Sequence, residues 1–107
     1  MNEEPKIYHV VVHDEAKQML YSHVRFLSNV SITAARKLRI KLYEAFLSLE
    51  TMPQRCPIYR TLRTSDTYRQ LIIGRYQIVF SIDDEKNNVN IRYILDSRQD
   101  NDSNRFI

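Results

Sequence analysis

Apolar residues along this chain recur at three- and four-residue steps through the first half and at two-residue steps through much of the second. Residues 7–12, IYHVVV, are rich in β-branched side chains and follow Pro5, which predicts a first strand entered from an extended tail. The period then changes. Ala16, Leu20, His23, Val24 and Leu27 share one helical face, with Asp14 as the N-cap and an end near Asn29. Ser31 or Thr33 caps a second helix, whose inner stripe is Ala35, Leu38, Leu42, Ala45 and Leu49. Arg36, Lys37, Arg39 and Lys41 fall mostly on its outer side, and Pro53 stops it. The short break at Val30 to Thr33 folds the two helices back on each other as an antiparallel hairpin.

After a loop punctuated by Pro53 and Pro57, three strands follow at 68–74, 75–83 and 89–95. Gly74, the single glycine, marks the first turn, and DEKNN (84–88) the second. Alternation puts Tyr76, Ile78, Phe80 and Ile82 on one face, and Val89, Ile91, Tyr93 and Leu95 on the matching face of the last strand. The helices cover these sets, leaving Arg75, Gln77, Asn90 and Arg92 on the open face of an antiparallel sheet. The strand at 68–74 is mixed on both sides, so its facing stays open. The order β-α-α-β-β-β predicts one small α+β domain spanning residues 1–107, with 1–5 and 101–107 as tails.

Composition narrows the function classes. The 43% hydrophobic and 27% charged residues belong to an ordinary globular domain, and 107 residues suffice for one core. A single cysteine, Cys56, forms no internal disulfide, and no segment is apolar enough to span a bilayer, so a cytoplasmic protein is expected. With one glycine there is no phosphate-binding glycine loop. Neither a nucleophile elbow nor a zinc helix is present, and no metal, cofactor or small-molecule substrate is expected. The net charge of +3 is modest but uneven: Arg55, Arg60, Arg63, Arg69 and Arg75 stand against one acid, Asp66, with Tyr59, Tyr68 and Tyr76 interleaved. Such a mixture contacts phosphates and stacks on bases, or else forms a solvated basic face. Arg69, Arg75, Arg92 and Arg98 are the candidates to converge at one edge and face of the sheet, where guanidinium groups hold a phosphate in two-pronged geometry.

The run YRQLIIGRYQIVFSIDDEKNNVNIRYILDSRQD resembles the carboxy-terminal sheet of the RelE/ParE superfamily, the toxins of type II toxin–antitoxin modules. The front, including AKQMLYSHVRFLSNVSITAARKL and the SLETMPQRCPIY exit, is similar to the same family, so the resemblance covers residues 7–100. It implies one of two activities: metal-independent cleavage of messenger RNA on the ribosome, as in the RelE-like branch, or poisoning of DNA gyrase without cleavage, as in the ParE-like branch. Carried over position by position, the RelE-type catalytic set falls on Arg69, Leu71, Gln77 and Arg98, with the late aromatic proton donor near Asn104 and Phe106. Only Arg69 and Arg98 keep the charge. The ending DSRQD and the MPQR-x-P exit look more like ParE-type and plasmid-stabilisation proteins, so the gyrase reading leads, followed by the RNase and then by a non-toxic RNA-binding domain.

The residues expected to meet a target or nucleic acid are thus Arg60, Arg63, Arg69, Arg75, Tyr76, Arg92, Arg98 and Asp100, with Arg69, Gln77 and Arg98 as the catalytic set if the protein is an RNase. Arg98 has two roles open to it: pairing with Asp96 or Asp100 to hold the chain as it leaves the sheet, or being oriented by Asp100 toward an anionic target. The resemblance also implies a cognate antitoxin, whose acidic segment folds onto the toxin as it binds.

Overall fold

The computed structural model describes residues 6–60 and 67–98. The helical periodicity becomes α1 (Asp14–Ser28) and α2 (Ile32–Ser48). Ser31 caps α2, its hydroxyl accepting from Ala34 N–H at 3.1 Å. Asp14 is instead the first residue of α1; His13 holds the cap position in an extended conformation, and its side chain makes no capping bond. A carboxylate in the first turn still favours the helix through the peptide dipoles.

The strands are β1 (His9–Val12), β2 (Ile58–Tyr59), β3 (Tyr68–Ile73), β4 (Tyr76–Asp83) and β5 (Asn88–Asp96), in the sheet order β1-β5-β4-β3-β2. The expected α+β order holds, with two differences. The two-residue β2 is an added edge strand, paired with Tyr68 and Arg69. The sheet is mixed rather than antiparallel, because β1 pairs in parallel with β5, from His9 opposite Asn88 to Val12 opposite Ile91. A parallel pair needs a long crossover, and the helical hairpin lies within it. Ile7 falls outside β1 and forms a lone bridge with Thr51.

The helices cover one face of the sheet, α1 against β5 and α2 against β3. Every residue of the expected α2 stripe is buried, and with Ala16 and Leu20 of α1 these side chains enclose Ile78, Phe80, Val89, Ile91 and Ile94. Burying such side chains stabilises the fold by roughly 1.5–3 kcal/mol each. Leu71 and Ile73 pack on the same core, which resolves β3: its odd positions face the helices and its even positions the open side.

Alternation fails in β5. Phe80 lies opposite Ile91 but Val79 opposite Tyr93, so Arg92 is an extra residue and the ladder carries a β-bulge. Beyond it the facing is reversed: Ile94 and Asp96 turn to the helices, while Tyr93 and Leu95, expected in the core, lie on the open face. Val79 is nonetheless buried on that open face, between Gln70 and Tyr93.

Gly74 has φ +60° in the tight turn that starts β4 at Tyr76, leaving Arg75 in the turn. A Cβ there would meet nothing within 4 Å, so only backbone strain opposes a side chain. Gly74→Ala is expected to lower stability by about 1–2 kcal/mol, read from the midpoint of urea unfolding.

Candidate functional site at the end of the central strands

Three of the expected residues, Arg75, Tyr76 and Arg98, meet at one corner. Ser97 N–H donates to the Arg75 carbonyl at 2.7 Å, tying the chain beyond β5 to the turn before β4. Tyr76 and Asp96 are direct neighbours across the ladder, both turned to the helix side. Asp96 is only 5% exposed. Such a carboxylate needs partners, and Arg98 supplies both: its backbone N–H donates at 2.9 Å and its Nη2 at 3.4 Å. The Arg98 side chain stays 55% exposed, so the pair contributes only about 0–1 kcal/mol. Asp96 therefore orients a guanidinium that still faces solvent.

α1 adds a residue that the sequence reading placed in the core stripe. His23 donates from Nε2 to the Ile94 carbonyl at 2.6 Å, because a carbonyl can only accept. Its ring leans on Tyr76 with centroids 5.2 Å apart. Burial, and then the negative charge of Asp96, push the Tyr76 hydroxyl above its usual range against the opposing pull of Arg75 and Arg98. The phenol is therefore protonated at neutral pH. The one signal for His23 was its place as the sole polar side chain in the stripe Ala16, Leu20, Val24 and Leu27.

The remaining candidates go elsewhere. Arg69 lies on the helix side of β3 and donates from Nη1 to the carbonyls of Cys56, at 2.7 Å, and Gln54, at 3.2 Å. It pairs with Phe80, four residues along β4 from Tyr76, roughly 13 Å of strand. Ile73, Ile78 and Ile94 pack between it and Arg98, so the expected convergence of these two arginines does not occur. Arg92 is on the opposite, open face. Its Nη1 donates to His13 Nδ1 at 3.3 Å, which leaves His13 Nε2–H to donate to Asn90 at 2.9 Å. Gln77 shares that face, beside Leu95, and both Gln77 Oε1 and Arg92 Nε are buried without a hydrogen-bond partner among the described residues. Arg60 is exposed beyond β2, while Arg63 and Asp100 lie outside the described residues. Leu71, at another catalytic position, packs on the core. Burial raises the Cys56 thiol, against Arg55 and Arg69, so it stays a thiol.

A second polar cluster is structural. The buried Tyr8 hydroxyl donates to Asp84 at 2.6 Å and accepts from Gln54 at 2.6 Å, while Lys6 bonds Asp84 at 3.2 Å. The Tyr8 bond, then Lys6, hold the Asp84 carboxyl below its ordinary value of 3.8. A depressed carboxylate stabilises the fold above its unfolded pKa, and that contribution is lost as pH falls through the folded one. Asp84→Asn is expected to be less stable than wild type at pH 7, with the gap closing below about pH 3.8 in urea titrations at the two pH values. Among the described residues, no group of three His, Cys, Asp or Glu is placed to hold a metal ion, and no helix is long and apolar enough to cross a membrane.

Comparison with known proteins sets this geometry in context. A family model described as the ParE toxin of the type II toxin–antitoxin system parDE matches residues 10–101. No curated protein matches. Among solved structures, the RelBE2 toxin–antitoxin complex of Mycobacterium tuberculosis is similar at 23% identity and a TM-score of 0.57, over 84% of this chain and 98% of that one. The archaeal RelE–RelB complex of Pyrococcus horikoshii OT3 is similar at 17% identity and a TM-score of 0.56, over 85% and 96%. At these identities the likeness is one of fold.

Proposed function

The chain belongs to the ParE toxin family of type II toxin–antitoxin systems, and from that premise we propose that it arrests bacterial growth by binding and poisoning DNA gyrase, not by cutting RNA. The separation of Arg69 from Arg98 is the observation that carries this reading. Metal-free cleavage of RNA needs several groups around one phosphate, to stabilise its charge and to move protons. Here Arg69 is spent on two loop carbonyls, and apolar packing lies between it and Arg98. The family's other basic positions are Leu71 and Gln77. The corner of Arg75 and Arg98, beside the buried Tyr76, is the target-binding surface.

A cognate antitoxin completes the module. The outer side of α2 exposes Ile32, Ile40, Tyr43 and Leu47 among Arg36, Lys37, Arg39 and Lys41, and a groove of about 330 Å³ between the helices is lined by Leu20, Val24, Arg25 and Arg39. Apolar rows edged by cations suit an acidic amphipathic segment.

Induction in a bacterial host tests the target. Growth arrest with a DNA-damage response and intact messages is expected, and the Arg75→Ala/Arg98→Ala double variant should lose the arrest. Cut messages in the first minutes would move the protein to the RNase reading, and the absence of any arrest would leave a non-toxic RNA-binding domain.

A further inference from the structure

We propose that the outer face of α2 pairs with the same face of a second copy of this chain, antiparallel about a two-fold axis beside Ile40, so that the free toxin exchanges between monomer and dimer. Ile32, Arg36, Ile40, Tyr43 and Leu47 fall within an arc of roughly 80° at about 100° per residue, turned away from the buried stripe. The four apolar members, Ile32, Ile40, Tyr43 and Leu47, are 62, 58, 44 and 61% exposed. Apolar side chains scattered singly over a surface mean little, but a row along a 17-residue helix marks an interaction surface.

The row reads alike from both ends, and that symmetry selects the occupant. Ile32 and Leu47 lie equally far from a point between Arg39 and Ile40, and so do Arg36 and Tyr43. When a second α2 is laid antiparallel about that point, Ile32 meets Leu47 of the second copy and Arg36 meets Tyr43 of the second copy, apolar on apolar and guanidinium on aromatic ring. Ile40 packs beside the axis. Arg39 is turned to the groove beside α1 and onto its own Tyr43 ring, at 6.0 Å. The other flank carries Lys37 and Glu44, the one acidic residue of α2, and neither has an ion-pair partner among the described residues. A two-fold brings like flanks together, with Lys37 and Glu44 of the second copy staggered by two residues, about 3 Å of helix rise, so the ion pair forms twice. An acidic segment offers Glu44 only like charge, whereas a second α2 offers it Lys37. Two helices about 25 Å long bury less than a standard interface, so association is expected in the micromolar range. The antitoxin assigned to the helical hairpin overlaps this face, so its binding splits the dimer. The pairing stands on α2 alone and is independent of the toxin's target.

Sedimentation velocity of the full chain between about 1 and 200 μM should show monomer passing to dimer, with a midpoint on the order of 10 μM. Ile40→Glu, at an exposed side chain, sets two carboxylates beside the axis and should keep the protein monomeric throughout, with its thermal midpoint at the lowest concentration nearly that of wild type. Glu44→Lys and Lys37→Glu should each weaken dimerisation about tenfold, and the exchange Lys37→Glu/Glu44→Lys should return it to within about threefold of wild type. That rescue reads the antiparallel register directly. A wild type that stays monomeric at the highest concentration, a dimer indifferent to Ile40→Glu, or an exchange no better than the single variants would overturn the pairing. Should the toxin be monomeric while Ile40→Glu weakens its capture by the cognate antitoxin, the face belongs to the antitoxin alone: the module reading stands and this one fails.

Discussion

Ile94→Ala is expected to destabilise the protein by about 2–5 kcal/mol, and Leu95→Ala by about 1 kcal/mol or less. The two residues are adjacent and equally apolar, and plain alternation from Val89 and Ile91 would put Leu95 inside and Ile94 outside. The bulge at Arg92 reverses that. Ile94 is fully enclosed by the core, so truncation removes buried methyl groups and leaves a cavity, while Leu95 lies half-exposed beside Gln77 on the uncovered face. Urea midpoints for the two variants, with equal slopes, measure the difference. The opposite ranking would mean that β5 runs without a bulge, and it would turn Asp96 and the whole corner to the other side of the sheet.

Arg69→Ala is expected to cost about 1–2 kcal/mol, yet to leave growth arrest intact when folded protein is matched. The guanidinium closes the 53–56 segment, where Pro53–Arg55 forms a single 3-10 turn, onto the first residues of β3. Without it, the Gln54 and Cys56 carbonyls lose a charged donor. Lysine at this position should recover part of the stability by reaching one carbonyl. Toxicity measured beside Arg98→Ala separates the two arginines: loss with both variants, at matched folded amounts, would join them in one site despite the packing between them.

Much of this was legible in local pattern. The two helices, the α2 stripe from Ala35 to Leu49, the Ser31 cap, the Gly74 turn and the inward row Tyr76, Ile78 and Phe80 all follow from which residues recur at which step. Periodicity is a property of a segment and its backbone geometry, so it survives without knowledge of neighbours.

Relations between segments were decided otherwise. The bulge at Arg92 depends on how β5 fits β4, and the parallel seat of β1 depends on where the helical hairpin delivers the chain. Arg69 turned inward because β3, mixed on both faces, took its facing from the core that Leu71 and Ile73 complete. His23 reached Ile94 and Tyr76, 71 and 53 positions away, only once α1 had docked on β5. The sequence by itself thus determined the two helices, the longer strands, the inner faces of α2 and β4, and the family. The tertiary structure alone decided which charged side chains share a corner, because a one-residue change of register moves a side chain to the opposite face without altering the composition or period of its strand.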